Sequence, residues 1–166
     1  MNRPWCGWLV GFLLCAVSTE AQVIMPDRER EPGLRTNVFG LGLAAGSASG
    51  MGLSFRHHLP SVASYQITGG IIKVDDRLSY SLGAELQFDL ARGPVSRFFV
   101  GGGAAYFYSG TSSHNEMVGP ARLGVGIGGE YAGGAGLHVI GDLMFTYFSD
   151  GTVLPLPQIG VFYYFY

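Results

Sequence analysis

Several side chains in this sequence have the types and spacing that chemistry requires. Glu130 and His138 flank the short stretch AGGAG at 132–136. If that stretch turns a hairpin, the two residues sit across neighbouring strands within side-chain reach. An imidazole beside a carboxylate can act as a proton-responsive gate, because histidine titrates near neutrality. It can equally be a satisfied interior pair, and the second reading is favoured because polar networks are routine inside narrow barrels. The stretch SSHNE at 112–116 gathers Ser112, Ser113, His114 and Glu116, the residue types of a lipid hydrolase. Catalytic groups must hold one another at hydrogen-bond distance, which a polar loop does not guarantee, so a plain surface loop is the better reading. Gly124, Gly126 and Gly129 spell G-x-G-x-x-G. A nucleotide site of that kind needs a strand before it and a helix after it, whereas these glycines lie inside one strand-like run and another follows. His57 and His58 are adjacent, so on a strand they point to opposite faces and make a poor metal chelate. No catalytic residue, cofactor or metal site is expected.

Strands must position all of these groups. Residues 77–90 read RLSYSLGAELQFDL, in which Leu78, Tyr80, Leu82, Ala84, Leu86, Phe88 and Leu90 alternate with polar, charged or glycine residues. A period of two marks a strand with two unlike faces. Soluble strands are usually about five or six residues long, and a tilted strand crossing a bilayer needs about nine to eleven. From residue 36 onward there are eight such segments, near 36–45, 49–58, 64–74, 77–90, 97–108, 121–131, 137–148 and 156–166. Their connections are rich in Gly, Pro, Ser and Asp, the usual turn residues. An even number of hairpin-linked antiparallel strands can close and leave no exposed edge. With no helix pattern and no shift of composition, residues 36–166 read as one all-β domain, an eight-stranded antiparallel up-and-down barrel.

The chain has 166 residues, a formal net charge of -2 and only 13% charged residues. An ordinary soluble domain carries about 25%, and the near-neutral balance offers no basic field for nucleic acid. Residues 1–21, MNRPWCGWLVGFLLCAVSTEA, contain Arg3, a thirteen-residue apolar run at 5–17 and a small-residue ending. This is the grammar of a signal peptide cleaved after Ala21, since a spanning helix needs about twenty apolar residues. Both cysteines, Cys6 and Cys15, fall inside it, so the exported chain would have no disulfide. Leu14 stands before Cys15 where a lipid-anchored leader has a small residue. Residues 22–35 are charged and hold two prolines, an extended or mobile lead-in.

Alternation alone does not say which face meets water. Residues 121–131 read ARLGVGIGGEY, placing Arg122, Gly124, Gly126, Gly128 and Glu130 on one side. Glycine is a poor coat for a water-facing strand but suits a crowded interior. The opposite faces carry large apolar residues such as Leu41, Leu53, Leu82, Val125 and Leu143, and aromatic residues gather near strand ends. That is the pattern of an apolar belt flanked by aromatic girdles. A chain that spans lipid in β form must close its hydrogen bonds into a barrel.

The residues ending TEA before Gln22, the eight alternating segments and the closing QIGVFYYFY together make the chain resemble the small bacterial outer-membrane β-barrel proteins, the OmpA-like and OmpX-like group. The resemblance implies periplasmic termini, a periplasmic lead-in at 22–35, and contact with outer-membrane lipid. It also implies recognition of the last strand, ending on Tyr166, by the outer-membrane insertion machinery. Turns near 59–63, 91–96 and 132–136 would then lie inside the cell envelope. Loops near Gly46, Asp75 and Asp76, 109–120 and 149–155 would lie outside. In the eighth segment Phe162, Tyr164 and Tyr166 compete with Val161, Tyr163 and Phe165 for the lipid face, and Ile71 and Ile72 compete in the third.

An eight-stranded barrel has an interior just wide enough for side chains to fill. Arg56, Glu85, Arg122, Glu130, His138 and Asp142 are expected to form a polar network there, with Gln66, Thr68, Gln87 and Thr146, because buried charges must pair or neutralise. The expected protein is a non-enzymatic outer-membrane barrel with a structural or surface-interaction role. A lipid-modifying enzyme on the same barrel and a narrow passive channel for small or hydrophobic solutes are the alternatives. The residues leave oligomeric state open.

Overall fold

The computed structural model describes residues 34–111 and 114–165. The expected signal peptide at 1–21, most of the expected lead-in at 22–35, Ser112, Ser113 and Tyr166 lie outside the described residues. Eight strands, β1 (Val38–Gly46), β2 (Gly50–His58), β3 (Ala63–Val74), β4 (Arg77–Arg92), β5 (Ser96–Gly110), β6 (Ala121–Ala132), β7 (Leu137–Phe148) and β8 (Val153–Phe165), form one antiparallel meander. Pairing of β1 with β8 closes it into a barrel. Closure leaves the strand order equal to the sequence order, so local hairpins do the positioning.

The alternation read in residues 77–90 survives intact. Leu82, Ala84, Leu86 and Phe88 of β4 are exposed, and Ser81, Gly83, Glu85 and Gln87 between them are buried. A register shift between Asp89 and Ala91 interrupts the pairing of β4 with β5, which resumes at Ala91 and Phe98, the local disruption expected of a bulge near a barrel rim. The two conflicts in the pattern also resolve. In β8, Val161, Tyr163 and Phe165 point outward while Phe162 and Tyr164 are almost fully buried. In β3, Ile71 and Ile72 are both exposed, although they occupy opposite faces.

Strand length is uneven. The hairpin strands β1 and β2 have 9 residues each, against 16 in β4 and 15 in β5. The loop near Gly46, expected among the outer loops, instead folds into the barrel. Ala48 is fully buried and Ser49 nearly so. The Ala48 and Ser49 amides and the Ser49 hydroxyl all donate to Gln158 Oε1 of β8, at 3.0, 3.1 and 3.0 Å. Ser47 Oγ meets Thr146 Oγ1 of β7 at 2.7 Å.

Sequence explains why the turn fits. Ser47, Ala48 and Ser49 are small, and the strands facing them carry glycine. A Cβ on Gly83 would lie 2.4 Å from the Ser49 carbonyl carbon, and one on Gly124 would lie 2.6 Å from the Ala48 Cβ. Gly50 and Gly52 take φ of 91° and 133°, a region that residues with a Cβ rarely adopt. These two glycines let β2 leave the wall and turn inward.

Candidate functional site

Below the inward turn, at the end of the barrel where β2 finishes and β7 begins, the lumen is packed with paired polar groups. Glu130 of β6 is the hub. Its Oε1 meets His138 Nδ1 at 2.6 Å and His58 Nε2 at 3.2 Å, and its Oε2 receives Arg97 Nε at 2.6 Å, with Arg56 Nη2 at 3.4 Å. Four partners from β2, β5 and β7 therefore converge on one carboxylate. Glu130 is paired in register with Ile140, and His138 with Ala132. The Glu130 and His138 contact is thus diagonal across the hairpin rather than directly opposite.

A second ring of contacts uses further donors, although Arg56 Nε is buried without a hydrogen-bond partner among the described residues. Arg97 gives Nη1 to Ser64 Oγ at 3.1 Å and to Asp89, and Nη2 to Gln87 Oε1 at 2.8 Å. Arg56 reaches Gln66 Oε1 at 3.0 Å and also bonds Gln87. Gln87 Nε2 donates to Glu85 Oε1 at 2.6 Å, and Gln158 Nε2 to Asp142 Oδ1 at 2.8 Å. Aromatic faces complete the packing. Phe99 lies 4.9 Å from the Arg97 guanidinium, Phe162 lies 5.6 Å from that of Arg56, and Tyr164 stacks on His58 with ring centres 5.0 Å apart. Such contacts lower the cost of holding guanidinium groups out of water.

The chemistry this arrangement allows is narrow. Ser64 Oγ, 2.8 Å from His58 Nδ1, and Glu130 on the other ring nitrogen form a hydroxyl, imidazole and carboxylate in series. With Ser64 donating to Nδ1 and His58 Nε2–H donating to Glu130, a single neutral tautomer satisfies both contacts. Yet Ser64 and His58 are each 1% exposed, so no acyl group has a route to the hydroxyl. His58, Glu130 and His138 also bring three donor atoms within 4.8 Å of one another, donor types that suit a divalent transition metal. Arg56 and Arg97 on the same carboxylate set two positive charges beside any cation placed there. The space left between turn and network is about 10 Å³, room for one water at most.

Of the residues expected in the lumen, Arg56, Glu85, Glu130, His138 and Asp142 lie in or next to this cluster. Arg122 lies elsewhere, near the opposite mouth, with its guanidinium 4.0 Å from the Phe107 ring and 4.7 Å from that of Phe148. Sequence reasoning missed Arg97, Ser64, Asp89 and Gln158, and it set His58 on the face opposite His57 without assigning it to the lumen. Arg97 shares parity with Phe99 and Gly101 on β5, a signal that could have placed it inside. In the 109–120 loop, Asn115 holds the chain: its Oδ1 accepts from the Ser109 and Met117 amides, each at 3.1 Å. Glu116 pairs with Arg77 at 3.1 Å and accepts from Thr111 at 2.8 Å. The Thr111 hydrogen bond, helped by the Arg77 charge, holds the Glu116 carboxyl below its ordinary range. Ser113, offered with His114 as a hydrolase pair, lies outside the described residues.

The barrel exterior differs throughout from its interior. Leu41, Leu53, Leu82, Val125, Ile127 and Phe145 each expose about half or more of their surface. Aromatic residues border this belt at both ends. At one end His57 stacks on Phe39 at 4.3 Å and meets Tyr65 edge-on at 5.4 Å; at the other, Tyr80 and Tyr108 stack at 4.9 Å. Fold and surface together define an eight-stranded antiparallel β-barrel with an apolar outside and a charged, filled inside.

No protein-family model and no curated protein matches the chain. Among solved structures, it is similar to the Yersinia pestis outer membrane protein Ail, determined in a phospholipid bilayer nanodisc. The match has 15% identity and a TM-score of 0.45, covering 77% of this chain and 97% of that one.

Proposed function

We propose that this chain is an integral outer-membrane β-barrel whose role is structural or surface-interacting, neither an enzyme nor an open channel. The observation that supports this reading is the pairing of an apolar outer belt with a lumen closed twice over. A charge network fills one half and a folded-in turn fills the other. Large exposed apolar surface is costly in water at roughly 25 cal/mol per Å², and hydrocarbon removes that cost. Filled lumens conduct poorly, and a buried serine cannot turn over substrate. The barrel then serves as a rigid wall that displays its β3–β4, β5–β6 and β7–β8 loops, with its aromatic last strand read by the insertion machinery.

Refolding into phospholipid vesicles tests this directly. The folded chain should migrate differently from the boiled chain on an SDS gel, give no discrete conductance steps in planar bilayers, and leave Ser64 unlabelled by a fluorophosphonate. Steady conductance would favour the channel, and Ser64 labelling would favour the enzyme.

A further inference from the structure

Because β1 and β2 are short and turn inward, their neighbours lose partners. The pairing of β2 with β3 stops at Leu53 and Gly69, and that of β1 with β8 stops at Ala45 and Ile159. Beyond those points, among the described residues, β3 continues its ladder pairing with β4 alone, and β8 with β7 alone. Gly70 faces inward opposite Ser81, and a Cβ there would lie 2.4 Å from the Met51 carbonyl oxygen. The start of β2 therefore passes inside the wall at Gly70, where the Met51 amide and carbonyl both bond the Ser81 hydroxyl, at 3.0 and 2.8 Å. Among the described residues, no strand pairs with the edge of β3 above it.

A cavity of about 600 Å³ occupies this gap, within the size range of small-molecule sites. Its walls include Ile72, Ser79 and Phe107 from the lumen side and Ile71, Tyr80 and Tyr108 from the outer side. Register fixes these faces: Ile72 pairs with Ser79, whereas Ile71 pairs with Tyr80 and Tyr80 with Tyr108. One cavity thus reaches both faces of the wall round the free edge of β3. It lies level with the Tyr80 and Tyr108 stack, where an aromatic girdle marks the meeting of acyl chains and headgroups.

We propose that this gap is a lateral binding site for one acyl chain of an outer-leaflet lipid, entering from the side. Resting on the membrane reading above, the assignment follows from what adjoins the opening. Its outer lip is continuous with the apolar belt, so the neighbouring molecule is hydrocarbon. Its upper rim is polar: Arg77 bonds Ser109 Oγ at 3.0 Å and pairs with Glu116, and Ser79 Oγ meets Ser109 Oγ at 2.9 Å. An apolar pocket beneath an ionic rim has the polarity order of an amphiphile. Ile72 supports the same assignment, because it faces the lumen side yet is 65% exposed, an apolar side chain that the described residues leave uncovered.

The test uses the full chain folded in vesicles of phosphatidylcholine doped with phosphatidylcholine that carries a diazirine on one acyl chain. After irradiation, mass spectrometry locates the adducts. Adducts on Ile72, Ser79 or Phe107 as well as on Tyr80 and Tyr108 support the site, provided Ile72→Trp abolishes the former and leaves the latter. Ser79→Trp fills the pocket from the other wall if Ile72→Trp does not fold, with gel mobility reporting folding. Adducts confined to Tyr80 and Tyr108, or lumen-side adducts that persist in the filled variants, overturn the site and leave the membrane placement standing. Absence of adducts across the whole outer belt overturns that placement and the site with it.

Discussion

The two halves of the lumen are closed by different means. Near the β6–β7 turn, long side chains from six strands meet across the barrel and neutralise one another around Glu130. Near the opposite mouth, a backbone turn enters and the wall makes room with glycine. A network of charges depends on each member, because removing one leaves its partners buried and unpaired. A packed turn depends on volume, because close-packed interiors tolerate neither gaps nor added methylenes. The first half should therefore respond to deletions, and the second to insertions.

Glu130→Ala should give the largest effect, destabilising the folded barrel by about 3–5 kcal/mol, since Arg56 and Arg97 lose their shared carboxylate. Urea titration of the barrel in micelles would measure it, and a loss near zero would show that the network is not closed around Glu130. Gly124→Leu comes next, at about 1–3 kcal/mol for overpacking. Because the added side chain meets Ala48 of the inward turn, it should also expel that turn and raise single-barrel conductance. Destabilisation without conductance would mean that the network alone seals the lumen.

Gln158→Ala sharpens the comparison from the other side. It removes the acceptor shared by Ala48 and Ser49, and a net hydrogen bond contributes about 0.5–1.5 kcal/mol. The expected result is a modest loss of stability with flickering conductance as the turn comes and goes. The smallest effect belongs to the exposed loop pair. The Glu116 carboxyl is held below its ordinary range, so whatever order it gives the loop is present at neutral pH and is lost as pH falls through the lowered value. Limited proteolysis of the 109–120 loop should quicken at acidic pH while the barrel stays folded, and Glu116→Gln should remove the pH dependence.

Much of the wall was legible in the sequence and little of the lumen's detail was. Period-two alternation in residues 77–90 and 121–131 identifies inward and outward faces, because a strand permits no other arrangement. It fails in β8, where Phe162 and Tyr164 match the bulk of Val161 and Tyr163, and only the neighbours decide. There, Tyr164 is drawn inward to cover His58 and His138. The β1–β2 turn read as an outer loop because turn residues mark a reversal and carry no direction. Its run of small residues, AAGSASG, is the trace of its burial, but that trace means something only once Gly83, Gly103 and Gly124 are known to face it. His58 was placed correctly opposite His57, yet its partner Glu130 lies 72 residues away, a distance that local spacing does not encode.

Orientation is the central claim, and site-directed spin labelling measures it most directly. Single cysteines at Leu82, Val125 and Ile127, and at Ser81 and Thr146, would be labelled in the unfolded chain and folded into vesicles. Relaxation by oxygen, which concentrates in hydrocarbon, should be high at Leu82, Val125 and Ile127 and low at Ser81 and Thr146. Strong relaxation by a water-soluble nickel complex at the first three positions would contradict the account, because the apolar belt would then face water.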